Sequence, residues 1–406
     1  MLTALVADLT ATGCHEIVTT TDPRFPLSAP PGVQVVTLAD RSSACLDLLD
    51  ALMVSADAVW LVAPETDRCL ERLAARAERK RKMLLGSGAA AIRRASDKAG
   101  LPRRLARHGV PHPMTFVLRQ GADWRTAARE VGYPIVVKPA RGAGCNGVCL
   151  ASDARELHHA VAMARAVDRK GQLLLQRYVP GVAASVSLLA DGERAVALAV
   201  NAQWVRASRG PRGRSRNRAG VPWLPFFYRG GKTPFDHPLA GRAVEAALRT
   251  CHAISGLRGY IGVDMVLTES EAVVIEVNPR LTTAYLGIRA VLEENVATLA
   301  LAACAGALPT PPIAQRRVRF TSAGRIVSTG SYPSRQGPRS NERSGASACR
   351  SRECEGTSEA SGGGAPRAVI DDPREAGPGE GPRSNERSGA MGPREAGPGE
   401  GPRSKK

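Results

Sequence analysis

The chain has 406 residues, 43% of them hydrophobic, with 56 Lys+Arg against 38 Asp+Glu and a formal charge of +18. That length and apolar share accommodate two or three domains with sizeable cores, and the charge favours anionic ligands without bearing on fold. No run of 18 apolar residues, no basic-then-apolar opening and no Cys-x-x-Cys pair among nine cysteines is present, so neither a membrane helix, a secretory signal nor a structural zinc site is expected, and a reducing cytoplasm is the simplest setting.

Met1 to Leu9 has helical apolar spacing, with Gly13 as its stop. Glu16–Thr20, Val33–Leu38 and Asp57–Val62 read as short strands with helical segments between and after them, which predicts a parallel sheet with crossover helices. A helix near Ser96–His108 leads through Val110-Pro111-His112-Pro113 to a strand at Thr115–Leu118. A strand then runs into Lys138, followed by Pro139 and a loop carrying Gly142, Gly144 and Gly147, and by a second short strand from Val148 to Leu150. Glycines let backbone N–H groups converge on one point, which forms an anion-binding concavity beside the Lys138 charge. The loop is not a Walker loop, because no Gly-Lys-Ser/Thr follows, nor a dinucleotide fingerprint, because a strand rather than a helix follows. Further helices are expected at 240–257 and 289–305.

Two later strings carry oxygen donors on apolar strands: Gly262-Val263-Asp264-Met265-Val266-Leu267 and Val274-Ile275-Glu276-Val277-Asn278-Pro279-Arg280. A carboxylate at Asp264 would be expensive without a partner. Glu276 and Asn278, two apart on a strand, leave the same face, with Arg280 following on it. An oxygen-only set suits a hard cation that also holds phosphates; the bland alternative is two edge strands with polar outward faces. Arg206, Arg209, Arg212, Arg214, Arg216 and Arg218 crowd one segment, read either as a solvated basic loop or as a lid over an anionic substrate. Trp204, Trp223, Phe226, Phe227 and Tyr228 flank it, as core or as a pocket for an aromatic amine. The seven histidines show no ligand spacing. After about Gly330, Gly-Pro-Arg-Ser-Asn-Glu-Arg-Ser-Gly-Ala occurs twice, at 337–346 and 381–390. This repetitive stretch lacks large apolar residues and is expected to be disordered. With thirteen Lys/Arg and eleven Asp/Glu in 331–406, it leaves most of the charge excess on the rest of the chain.

From about Ala58 to Ala305 the order of these strings resembles the ATP-grasp superfamily: Ser96-Asp97-Lys98, the Lys138 strand and glycine loop, Leu173-Leu174-Leu175-Gln176-Arg177-Tyr178-Val179-Pro180-Gly181, then the Asp264 and Glu276/Asn278 strands. Four further strings are similar to the tyramine–glutamate ligase group of methanofuran-type cofactor synthesis: Ala63-Pro64-Glu65-Thr66-Asp67, Leu85-Gly86-Ser87, Phe227-Tyr228-Arg229-Gly230-Gly231, and Asn278 through Tyr285. The resemblance implies an ATP-grasp fold, α/β and α+β. Its parts are an N-terminal parallel α/β pre-ATP-grasp domain at 1–95, the ATP-grasp domain at 96–310, a terminal segment at 311–330 and a disordered tail at 331–406. The family's first domain begins with a strand before its first helix, whereas this chain begins in the helix, so a first strand is expected to be missing.

The resemblance also implies ATP and Mg²⁺, with Mn²⁺ as an alternative. Lys98, Lys138, Gly142, Gly144 and Gly147 would contact phosphates; Gln176, Arg177, Tyr178 and Val179 would grip the adenine; Asp264, Glu276 and Asn278 would bind metal. Arg280 would stabilise an oxyanion, or else form a salt bridge. The family often has an acidic residue two positions after the glycine matching Gly181; Ala183 stands there, so the ribose contact does not carry over. The implied activity is ATP-dependent joining of a small-molecule carboxylate to an amine through an acyl-phosphate, with glutamate and tyramine or a similar amine as substrates. No membrane or nucleic-acid partner is expected. The alternatives are a non-catalytic ATP-binding module and a basic nucleic-acid-binding protein.

Overall fold

The computed structural model describes residues 1–38, 43–142, 144–169, 171–207 and 224–331. The arginines from Arg209 to Arg218, Trp223 and the repetitive tail lie outside the described residues.

The N-terminal region alternates helix and strand: α1 (Leu2–Thr10), β1 (Val18–Thr21), β2 (Gln34–Thr37), α2 (Ser43–Ser55), β3 (Ala58–Val59), α3 (Cys69–Arg79), β4 (Met83–Leu84) and α4 (Ala89–Ser96). The strands pair in parallel, as crossover connections require, but as two separate ladders, β1 with β2 and β3 with β4. Leu70, Ala74, Ala89 and Ile92 form a small core between α3 and α4.

The single helix expected near Ser96–His108 is the last residue of α4 and, after a break, α5 (Leu101–Arg107). Between them the Asp97 carboxylate accepts from the Gly100 amide at 3.0 Å, which satisfies a free N–H at the start of α5. Next come β5 (Thr115–Leu118), α6 (Trp124–Val131), β6 (Ile135–Pro139), β7 (Cys149–Ala151), α7 (Ala154–Val167) and β8 (Leu173–Arg177). Asp153 caps α7 by accepting from the Glu156 amide, and the Glu156 side chain accepts from the Ser152 amide, which fixes the turn out of β7. Apolar faces of α6 and α7 close over these strands around Leu118, Val131, Ile135, Leu157 and Leu173.

The second half contains β9 (Val182–Asp191), β10 (Ala195–Ala207), β11 (Leu224–Thr233), α8 (Ala240–His252), β12 (Arg258–Leu267), β13 (Ala272–Asn278), α9 (Ala284–Val291), α10 (Val296–Cys304), β14 (Arg316–Thr321) and β15 (Ile326–Ser331). The helix expected at 289–305 is two. The Asn295 side chain accepts from the amides of Ala297 and Thr298 and caps α10, so the helix restarts there. All ladders of the large sheet are antiparallel, in the order β13-β12-β9-β10-β11-β7-β6-β8-β5, with β14 added to β11 and β15 to β14. Residues 316–331 are thus a hairpin built into the sheet.

The period of two sorts this sheet's faces. On β12, Ile261, Val263, Met265 and Leu267 pack with Ala184, Val186, Leu188 and Ala190 of β9 onto α8. The opposite face carries Tyr260, Gly262 and Asp264 of β12 beside Ser185 and Ser187 of β9. That face is the one that positions the site.

Candidate active site

Asp264 on β12 stands directly opposite Glu276 on β13, and Gly262 opposite Asn278. The expectation that these strands are neighbours with their oxygens on one face is met. Gly262 has to be small: a Cβ there would lie 2.5 Å from the Thr282 methyl. The Asp264 carboxylate is held from two sides. The Asn278 amide donates to Oδ2 at 3.0 Å and the Gln203 amide donates to Oδ1 at 2.8 Å. Gln203 comes from β10, which does not touch β12; β9 lies between. It reaches across because β9 presents small side chains here, with Ser185 opposite Asp264. A bulge in the β10–β11 ladder between Gln203 and Val205 bends β10 at this point. Behind it the polar face continues: Asn201 donates to Ser187 Oγ at 3.1 Å, Tyr260 OH donates to the same oxygen at 2.8 Å, and Thr233 donates to Asn201 at 2.6 Å.

Lys98, just past α4, donates to Glu276 Oε2 at 2.7 Å. Lys138 is the penultimate residue of β6 and is 5% exposed. Among the described residues no carboxylate lies within ion-pair distance of it. The glycine loop folds above: Gly144 and Gly147 take φ of 72° and 74°, and a Cβ at Gly147 would press on Pro139 and Val167 at 3.1 Å. Cys145, between them, also takes a positive φ. Burial pushes its thiol up to about 11, reinforced by the charges of Glu276 and Asp264.

The electrostatics divide the two acids. Burial, and then the Glu276 charge, push Asp264 up to about 7 against the pull of its two amide donors. Burial acts on Glu276 in the same sense, but Lys98 and Lys138 outweigh it and hold the group at about 2. For Lys98, burial is likewise overcome by Glu276, joined by Glu65 and Asp264, so its pKa is raised. Lys138 makes no ion pair among the described residues; burial, and then Lys98, bring it down to about 8 against the opposing pull of Glu276.

The remaining sequence candidates fall in three places. Gln176 and Arg177 are the last residues of β8, and Tyr178 and Val179 follow before β9. The Gln176 amide donates to Thr115 Oγ1 at 2.8 Å and the Tyr178 N–H to the Pro134 carbonyl at 3.0 Å. Arg280 is not on the strand face with Glu276 and Asn278. It lies beyond the end of β13 and grips Glu65 with two contacts of 2.8 Å. That ion pair, its alternative reading, is a part-buried link to the N-terminal domain rather than a surface bridge. Tyr228 is partly buried and hydrogen-bonded to Thr283, whereas Trp204 is 36% exposed. Sequence reasoning missed Gln203 and the partnership of Glu65. Asn201 and Gln203, two apart in the apolar run of β10, were the signal for the first.

Among the described residues no group of three or more His, Cys, Asp and Glu comes together, and no helix is long and apolar enough to cross a membrane. The oxygen set is two carboxylates and one amide.

Residues 95–284 match the ATP-grasp domain, and residues 15–92 the pre ATP-grasp 3 domain. The chain has the ATP-grasp fold. A biotin carboxylase–β-γ-ATP complex from Campylobacter jejuni superposes with a TM-score of 0.62 at 18% identity, covering 78% of this chain and 72% of that one. In sequence the chain resembles ATP-grasp carboxylate–amine ligases. It is 34% identical over 113 residues to D-alanine–D-alanine ligase of Ralstonia pickettii, covering 28% of this chain and 34% of the relative. It is 29% identical over 116 residues to tyramine–L-glutamate ligase of Methanocaldococcus jannaschii, covering 29% and 32%. The chain spans about a third of the length of these two curated relatives.

Proposed function

We propose that the chain is an ATP-dependent carboxylate–amine ligase. The observation that carries this reading is a buried Lys138 ammonium, without an ion pair among the described residues, under a glycine loop and beside a half-buried carboxylate pair of which one member resists ionisation. A lysine without a counter-ion and an acid held near neutrality are both costly, and both are relieved by one ligand: a polyphosphate with a divalent cation. ATP with Mg²⁺ has that chemistry, and Mn²⁺ shares it. Asp264, Glu276 and Asn278 would hold the cation, which when bound neutralises charge on the phosphates. Lys98, Lys138 and the N–H groups around Gly142, Gly144 and Gly147 would orient the phosphates. Gln176, Arg177, Tyr178 and Val179 would border the adenine.

The reaction follows from positioning and charge screening, without a nucleophilic side chain. The substrate carboxylate attacks the γ-phosphoryl group to give an acyl-phosphate and ADP. An amine then attacks the acyl carbon, phosphate leaves with the bonding pair, and the amine loses a proton. Arg280 would stabilise the oxyanion of that adduct only by giving up its ion pair with Glu65, so its place in this reading is the link to the N-terminal domain. The similarity to tyramine–L-glutamate ligase suggests an amino acid and an aromatic amine, with Tyr228 as a wall for the latter.

ADP release by the full chain with Mg²⁺, across a panel of acids and amines, tests the proposal. Turnover that needs both an acid and an amine is expected. Binding of MgATP with no acid- and amine-dependent turnover would instead favour a non-catalytic nucleotide-binding module.

A further inference from the structure

A cleft of about 440 Å³ adjoins the carboxylate–lysine site, and its wall holds two clusters. One is Lys98 with Asn278 and the turn from Ala140 to Gly142. The other, from the N-terminal domain, is Arg68, Glu71 and Arg93. Glu71 is 6% exposed and receives both arginines. Arg68 donates through Nε at 2.7 Å and Nη2 at 2.6 Å, and Arg93 donates through Nε at 2.7 Å. One carboxylate therefore orients two guanidinium groups and neutralises only one. The Arg68 Nη1 and both terminal nitrogens of Arg93 have no partner among the described residues. Their side chains remain 50% and 67% exposed. Three more arginines line the cleft: Arg94, whose buried Nε has no hydrogen-bond partner, the exposed Arg141, and Arg104, which is paired with Asp97.

The backbone is bent to achieve this arrangement. Asp67 and Arg68 take φ of 53° and 58° in succession, the left-handed region that non-glycine residues avoid. The turn brings Arg68 over Glu71 at the start of α3. Strain of this kind, a pair of pre-oriented forks and an open volume of ligand size together describe a binding site rather than a solvated surface.

We propose that this cleft takes the acid substrate, and that the substrate carries a second anionic group, carboxylate or phosphate, held by Arg68 and Arg93. This rests on the ligase reading above. Its reactive carboxylate then faces Lys98 and Asn278, beside the phosphates, while Lys138 and the glycine loop serve the nucleotide. The substrate class is an acid with at least two negative charges, and Glu71 is a positioning residue that holds the arginine forks in register.

Calorimetric titration of the full chain, with MgADP present, separates the outcomes. Succinate, glutarate and adipate are the dianionic probes, and phosphoglycolate is the probe whose second anion is a phosphate; butyrate and valerate are the monoanionic ones. At least one dianion should bind about ten-fold or more tighter than either monoanion, as expected for charge-assisted contacts to two guanidinium groups. The dicarboxylate and phosphate arms identify the distal anion. Arg68→Gln and Arg93→Gln, each leaving Glu71 one partner, should abolish that preference while leaving monoanion and MgADP affinity within about two-fold. If a variant fails to fold, the comparison on the unaltered chain still decides. Dianions binding no better than monoanions, or losing affinity in parallel with them, would overturn the inference while intact MgADP binding preserved the ligase reading. Absent MgADP binding would sink that reading first.

Discussion

In the metal-free chain the Asp264 carboxylate opposes folding, and Asp264→Asn should reveal it. Burial and the neighbouring Glu276 push its pKa up to about 7 from an ordinary 3.8. A carboxylate whose folded pKa lies above its unfolded value takes up protons on folding. Its ionisation cost therefore grows as pH rises from about 4 to about 7 and is complete above that. Integrated over the shift, the cost is roughly 4 kcal/mol at pH 8 and roughly 1.5 kcal/mol at pH 5. Glu276, held at about 2, stays ionised at both values and does not blur the comparison. The substitution has a cost of its own. Gln203 and Asn278 donate to different oxygens of Asp264, and an amide offers only one acceptor. The orphaned donor costs about 1–3 kcal/mol, independent of pH. That penalty cancels in the difference between the two pH values, leaving a relative gain for the variant of about 2–3 kcal/mol from pH 5 to pH 8. Denaturant unfolding of both proteins in chelator measures it. Adding Mg²⁺ and ADP should reverse the order, because the unaltered chain then gains the larger stabilisation. A stability difference identical at pH 5 and pH 8 would refute the reasoning and remove the electrostatic argument for a cation at this site.

Glu276→Gln should remove most Mg²⁺-dependent turnover with the fold intact by circular dichroism; near-normal ATP consumption would contradict its assignment. Gln203→Leu should raise the Mg²⁺ concentration for half-activation about 10-fold or more, as loss of an outer partner does, with a smaller effect on the KM for ATP; a Mg²⁺ titration distinguishes the two. Lys138→Met should weaken MgADP about 10- to 100-fold by calorimetry, the scale of a lost charged hydrogen bond, without lowering stability. Away from the site, Asp8 on α1 accepts from Tyr285 OH at 2.5 Å and from Arg289 Nε at 2.9 Å. Asp8→Ala leaves both unpaired and should cost about 3 kcal/mol, visible as a lower melting temperature with unchanged MgADP affinity.

Much of this protein is written locally. A lone carboxylate in the apolar run of β12, and two oxygen donors two apart in that of β13, marked these strands, and the face carrying Glu276 and Asn278 follows from a period of two alone. The glycines after Lys138 marked a loop needing positive φ, and Gly144 and Gly147 have it. Helix ends were less legible: α10 restarts on a single side-chain cap, Asn295, whereas the break before α5 is marked by Gly100 and Pro102. What the sequence could not contain is the company each side chain keeps. Lys98 meets Glu276 across 178 positions and Arg280 meets Glu65 across 215. Gln203 meets Asp264 only because the strand order inserts β9 between their strands and that strand presents small residues there. Burial then decides the chemistry. Two lysines and two carboxylates of ordinary pKa become one ion pair, one isolated cation and one acid poised near neutrality, because the desolvation that separates them exists only once sheet, loop and N-terminal helices have closed around them.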